Sequence, residues 1–179
     1  MVESNLSPSE IQDITEKLKK LQPGTLSKEL FSEFCRLKVT ITLEVVPLCL
    51  GPDGQIYVVM FNRGPDDLWW PNEFHTPGTC LHPSDITDSQ WGLPTKAFDR
   101  LKETELKEIK LIGDLHFVDN HNRQTNRGPE SDQVYLQEVD YQSAKQYLFP
   151  VKQLPPNTMS HQIPMIQKCA EIFKSQKSL

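Results

Sequence analysis

Residues able to do chemistry crowd into one stretch, Glu73 to Ile86, which reads EFHTPGTCLHPSDI. It sets two histidines, a cysteine, a Pro-Gly turn and two acids within a short span of a chain that has only eight glycines. Such a run is either the lip of an active site or a tight corner in a β-sheet. Just before it, Trp69 and Trp70 offer either a lid on a core or a stacking surface, since tryptophan is mostly buried wherever it occurs. Downstream, Arg100 and Glu105 share a helical pattern, where they form either a site or a plain helix ion pair. Asp85 suits a phosphate-site acid or the cap of a turn, and Gly78 suits a backbone position needing positive φ, with its carbonyl free to serve a ligand. Further on, Arg123 and Arg127 lie among Asn and Gln in a polar run suited to gripping phosphate or sugar hydroxyls. Cys80, His82, His116 and His121 match no standard zinc spacing.

Several elements must hold these groups. Ser7-Pro8-Ser9-Glu10 reads as a capping box, and Ile11, Ile14, Leu18 and Leu21 follow at helical spacing up to Pro23-Gly24. A second short helix is expected from Ser27 to about Arg36, with Leu30, Phe31 and Phe34 on one face. From Lys38 the period changes: Val39, Ile41, Leu43 and Val45 alternate with Thr40, Thr42 and Glu44, the pattern of a half-buried strand. Pro52-Asp53-Gly54 turns the chain into a returning strand, QIYVVMFNR. Thr95 to Glu108 reads as a helix with Ala97, Leu101 and the stems of Glu105 and Glu108 on one face. Strands are expected at KLIGDLHFVD and QVYLQEV, separated by the loop NHNRQTNRGPESD, and a last helix near Ile163 to Phe173. Long polar loops at sheet ends often line binding sites.

A hairpin, a Trp/Pro loop ending in Pro77-Gly78-Thr79 and a helix of the form A-x-x-R-x-x-x-x-E-L resemble the Nudix family. Its box, usually given as G-x5-E-x7-R-E-U-x-E-E-x-G-U, sits in a strand-loop-helix unit. Pro77-Gly78-Thr79 would occupy the family's Pro-Gly-Gly, with Thr79 replacing the box glycine. Asp85 falls where the box has its first Glu, and Arg100 matches the box Arg after an insertion that includes DSQWGLP. Leu101 and Thr104 stand at two metal-binding Glu positions, Glu105 matches the last, and Lys107 replaces the closing glycine. The resemblance covers roughly Thr40 to Pro155. It implies an α/β/α sandwich with a mixed, curved sheet, preceded by an added N-terminal helical pair over residues 1–37, the Nudix-like domain being 38–179.

The resemblance also implies hydrolysis of a nucleoside-diphosphate-linked substrate, a nucleotide sugar being one such. That chemistry needs oxygen-liganded Mg²⁺ or Mn²⁺ to neutralise phosphate oxygens and aim a water. With the box depleted, one divalent ion would be held by Glu105 and the Gly78 carbonyl. Arg100 would orient Glu105, Asp85 would assist, and Trp69 or Trp70 with Arg123 and Arg127 would bind substrate. The run FDRL with Glu105-Leu106 is similar to the helix of GDP-mannose mannosyl hydrolases, which work by substitution at carbon with a single metal. The alternative implication is a Nudix-fold domain that has lost catalysis and binds a nucleotide or a protein partner; fewer carboxylates repel one another less when metal is absent. The C-x-H-P loop resembles that of type I isopentenyl-diphosphate isomerases, in which Cys80 would transfer a proton and His82 would ligate metal.

Bulk properties narrow the field. The 179 residues allow one ordinary domain, and a formal charge of -5 gives no reason to expect general nucleic-acid binding. No G-x-S-x-G elbow, Walker loop or G-x-G-x-x-G occurs. The four cysteines are scattered as reduced thiols would be, and the chain has neither a signal h-region nor an apolar run long enough to span a bilayer. A cytoplasmic protein with a small-molecule diphosphate substrate and no membrane partner is expected, and a homodimer is compatible with it.

Overall fold

The computed structural model describes residues 6–22, 26–85 and 94–177. The expected turn at Pro23-Gly24 and the insertion up to Leu93 lie outside these residues. Chain order is α1 (Pro8–Leu18), α2 (Lys28–Leu37), β1 (Thr40–Leu50), β2 (Ile56–Val59), β3 (Phe61–Asn62), β4 (Phe74–His75), β5 (Gly78–Cys80), α3 (Thr95–Glu103), β6 (Leu111–Gln124), β7 (Pro129–Val139), α4 (Tyr141–Ala144), β8 (Leu148–Pro150) and α5 (Ile163–Gln176). The main sheet runs β6-β7-β1-β2-β8, with β5 also paired to β1. It is mixed, because β1 and β7 are parallel while its other pairings are antiparallel. Gly54, at φ +76°, makes the expected turn between β1 and β2.

β1 departs from the half-buried reading. Leu43 and Val45 pack towards α3 with Ala97, Phe98 and Leu101, whereas Val46 and Leu48 pack towards α5 with Ile166, Cys169 and Phe173. The strand is therefore buried on both faces, as a central strand between two helical layers must be. Exposure is confined to its ends, Ile41 near the start and Leu50 at the finish, with Val39 exposed just before it. The returning strand breaks at Met60 into β2 and β3.

Two further expectations change. The polar run after β6 is not a long loop: β6 extends to Gln124, β7 starts at Pro129, and only residues 125–128 turn. Its charged side chains enter the sheet because they neutralise one another there. The middle helix stops at Glu103; Thr104 has φ -116° and ψ -98°, and the N–H of Leu106 reaches back to the Leu101 carbonyl at 2.9 Å. Glu105 and Glu108 thus follow the helix in turns.

At the N-terminus Ser7 makes the capping box with Glu10, yet α1 buries none of its residues. Helix α2 buries Cys35, with Phe31 and Phe34 half-buried. All four cysteines are free thiols. No helix among the described residues is long and apolar enough to cross a membrane.

Candidate functional site

The α5-facing side of the sheet carries, at its β1 start, Thr42 and Glu44 beside Glu130 and Asp132 of β7. The parallel register sets Thr40 opposite Glu130 and Thr42 opposite Asp132. Arg123, opposite Glu130 on β6, reaches Glu130 Oε2 at 3.0 Å, and its Nη1 lies 2.8 Å from Asp132 Oδ2. Arg127, on the 125–128 turn, donates from Nε to Glu130 Oε1 at 2.7 Å and approaches the same oxygen with Nη2 at 2.5 Å. The Thr42 hydroxyl donates to Asp132 Oδ1 at 2.7 Å. A charge removed from water this completely persists only when paired and hydrogen-bonded, and here each is.

These groups border a cavity of about 50 Å³. Gln162, just before α5, spans its floor: its carbonyl accepts from the Thr76 N–H at 2.8 Å and its amide donates to Glu44 Oε2 at 3.1 Å. Burial, reinforced by the Asp132 charge, pushes the Glu44 carboxyl up to about 8. Burial and the nearby arginines push His161 down to about 3, so near neutrality both are uncharged. Arg63 Nε, Thr76 Oγ1, Arg123 Nε and His161 Nε2, all on lining residues, are buried without a hydrogen-bond partner in the protein. That is a polar, self-neutralised enclosure with capacity left over, the usual signature of bound water or ligand.

Trp70 forms one wall, and its loop is built locally. Asp67 accepts from the N–H of Trp69 at 3.0 Å and of Trp70 at 2.9 Å, while Arg63 pairs with the same carboxylate at 2.8 Å. Beside it, the Arg127 guanidinium lies 5.8, 5.7 and 5.5 Å from the ring centres of Phe31, Trp69 and Trp70. Of the residues expected to bind, Trp70, Arg123, Arg127, Gly78 and Cys80 line the cavity, and Trp69 stands behind them.

Gly78 needs no positive φ, contrary to expectation. It is required because the Glu44 carboxylate occupies the space of its side chain; a Cβ there would lie 2.6 Å from Glu44 Oε2. Arg100 does not orient Glu105. It grips Asp85 with both terminal nitrogens and donates to the Cys80 carbonyl at 3.1 Å. Asp85 in turn accepts from the His82 N–H at 2.7 Å, so it caps the turn as well as pairing. Against the penalty of burial, these bonds hold its carboxyl below the usual range. Burial raises the Cys80 thiol, the opposite of an activated thiolate, and among the described residues His82 belongs to no group of three or more candidate ligands.

Among the described residues no complete carboxylate set for a divalent metal is assembled. Leu101 is buried in the core, Thr104 turns its hydroxyl to the Arg100 carbonyl at 2.8 Å, and of the three metal-binding Glu positions only Glu105 keeps a carboxylate. Among the described residues no three His, Cys, Asp or Glu side chains converge as a cation site would require. Glu105 Oε1 lies 3.7 Å from His75 Nε2, and its Oε2 is buried without a partner. Burial raises Glu105 to about 7 and lowers His75 to about 4, so the two are not an ion pair at neutral pH. His75 Nδ1 faces the Thr76 carbonyl at 2.8 Å, which fixes the proton on Nδ1 and leaves Nε2 an acceptor towards Glu105.

Glu44, Glu130, Asp132, Arg63, His161 and Gln162 were not expected in the site. One signal was available for Glu44: it is the lone charge inside the apolar run TITLEVVPLCL. The others come from distant segments and depend on the sheet's register.

No family model and no curated protein sequence matches the chain. Solved structures do. A mutT/nudix family protein from Listeria innocua has a TM-score of 0.56 at 13% identity, over 76% of this chain and 95% of that one. Shewanella oneidensis NrtR gives 0.57 at 13% identity, over 76% of this chain and 64% of NrtR. The NUDIX domain of the same NrtR, in complex with ADP ribose, gives 0.52 at 15% identity, over 89% and 97%. At these identities the likeness is one of architecture, and it agrees with the mixed sheet between two helical layers: this chain has the Nudix fold.

Proposed function

We propose that the chain is a Nudix-fold binding domain that has lost metal-dependent hydrolysis and takes a nucleoside-diphosphate-linked small molecule at the cavity between the sheet and α5. The observation that carries this reading is the division of the charged groups. The box positions hold a core leucine, a helix-ending threonine and a Glu105 pushed up to about 7, while arginines, an indole and unpartnered polar atoms gather on the other face. A related Nudix domain crystallised with ADP ribose makes that nucleotide sugar the first ligand to try. The reading keeps the expectations of a small-molecule partner, a cytoplasmic location and no general nucleic-acid binding.

A second reading, a hydrolase with one Mg²⁺ or Mn²⁺ at Glu105 and the Gly78 carbonyl, is favoured by the unpartnered Glu105 Oε2. One experiment separates them: calorimetric titration of ADP ribose in chelator, beside a product assay with Mg²⁺ or Mn²⁺. Metal-independent binding without turnover supports the binding domain. Metal-dependent turnover that vanishes in Glu105→Gln overturns it and establishes the hydrolase.

A further inference from the structure

We propose that α2 is a lid over the cavity and that Arg127 is its latch. The inference rests on the cavity being a ligand site, and it begins with size. At roughly 10–15 Å³ of such volume per water, a cavity of about 50 Å³ holds roughly three to five waters, well short of the roughly 150 Å³ that accepts benzene. The cavity encloses a nucleoside only if a wall moves.

The wall best placed to move is the one formed by Arg127 and Trp70, and α2 lies directly outside it. Phe31 of α2 meets Trp69 edge-on at 5.9 Å, and with Trp69 and Trp70 it encloses the Arg127 guanidinium on three sides. On its inner side the same guanidinium is bound to Glu130. Arg127 thus ties the helix to the cavity wall through one cation, attracted by the ring faces outside and by a carboxylate inside. A second contact fixes the end of α2. Gly128, at φ +139°, lets the turn approach so closely that a Cβ would lie 2.3 Å from the Cys35 carbonyl oxygen.

Burial of side chains holds the helix pair only lightly among the described residues. α1 buries no residue, and α2 buries Cys35 alone. Elements with few buried apolar contacts open at low free energy while the core stays closed. Lifting α2 removes Phe31 from the cage and frees Arg127 to swing out, which widens the cavity towards solvent without disturbing β1 or β7.

The test uses the full chain with Trp91→Phe, so that Trp69 and Trp70 alone report, and compares it with Phe31→Ala and Gly128→Ala. Three quantities are measured: amide exchange across residues 28–37, acrylamide quenching of the two tryptophans, and calorimetric affinity for ADP ribose. The lid predicts α2 exchange faster by about tenfold or more, with central β1 and β7 amides unchanged, at least a doubling of the quenching constant, and tighter ADP ribose binding. Unchanged α2 exchange, or exchange that rises equally in the core, overturns it, because α2 is then part of the global fold. Release of α2 with weaker ADP ribose binding also overturns it, making α2 a wall of the site. Release of α2 and increased quenching with no ADP ribose binding in any variant supports the lid and counts against the ligand reading alone.

Discussion

Replacing Glu44 by Gln should remove one contribution to stability that falls with rising pH, so that the mutant gains on wild type as pH rises from 5 to 8. Glu44 is buried, faces Asp132, and has its carboxyl pushed from 4.5 to about 8. Between those two values the folded chain keeps the proton and the unfolded chain releases it, so each rise in pH favours unfolding. The folded-state advantage is complete below about pH 4.5 and is eroded until ionisation in the folded state near pH 8 ends the loss. At pH 7 the gap is two and a half pH units. At ~1.4 kcal/mol per unit that is roughly 3 kcal/mol. Gln has nearly the same volume, keeps a carbonyl to accept from Gln162, and does not ionise. Urea unfolding followed by tryptophan fluorescence at pH 5, 6, 7 and 8 gives the two curves. The stability difference between Glu44→Gln and wild type should grow steadily in favour of the mutant across that range. A difference that stays constant from pH 5 to 8 would refute the reasoning, since it would mean that the arginines keep Glu44 ionised in the folded state.

Gly78→Ala should cost about 1–3 kcal/mol, because its Cβ would collide with a buried carboxylate that Gln162 holds in place. Most of that cost should disappear in a Glu44→Ala background, and thermal denaturation of the four proteins measures the coupling. Arg123→Met leaves Glu130 and Asp132 with fewer partners in a buried site, for a loss on the order of 3–5 kcal/mol; Arg123→Lys, which cannot reach both carboxylates in a fork, should not restore it. Arg100→Ala strands the fully buried Asp85 carboxylate and should cost on the order of 3 kcal/mol, with a double-mutant cycle through Asp85→Asn returning a coupling above about 1 kcal/mol. His75→Gln tests the acid side. The His75 pKa is lowered from 6.5 to about 4, so its contribution is present above pH 6.5 and lost as pH falls towards 4; the mutant should be less acid-sensitive by about 3 kcal/mol over that span in the same urea assay.

Periodicity and turn chemistry determined much of this protein from the sequence. The capping box at Ser7, the hairpin turn at Gly54, the amphipathic α2 and the C-terminal helix are local patterns, and local patterns survive folding unchanged. The strand-loop-helix order around Pro77-Gly78-Thr79 was enough to suggest the Nudix fold. The sequence also offered Trp70, Arg123 and Arg127 as candidates, with a core lid and a solvated loop as the open alternatives.

The tertiary structure alone decided what those residues touch. Glu130 and Asp132 looked like solvated loop acids until the parallel β1–β7 register placed them beside Thr42 and under Arg123. Glu44 reads as the polar side of a half-exposed strand unless α5 is known to cover that face. Arg100 and Glu105 fit one motif in the chain, yet the helix ends between them and sends one to Asp85 and the other to His75. Hydrogen bonds and ion pairs between distant segments depend on register and layer, which sequence spacing does not encode. The partners of the charged groups, and with them the chemistry of the cavity, were set only when the sheet closed.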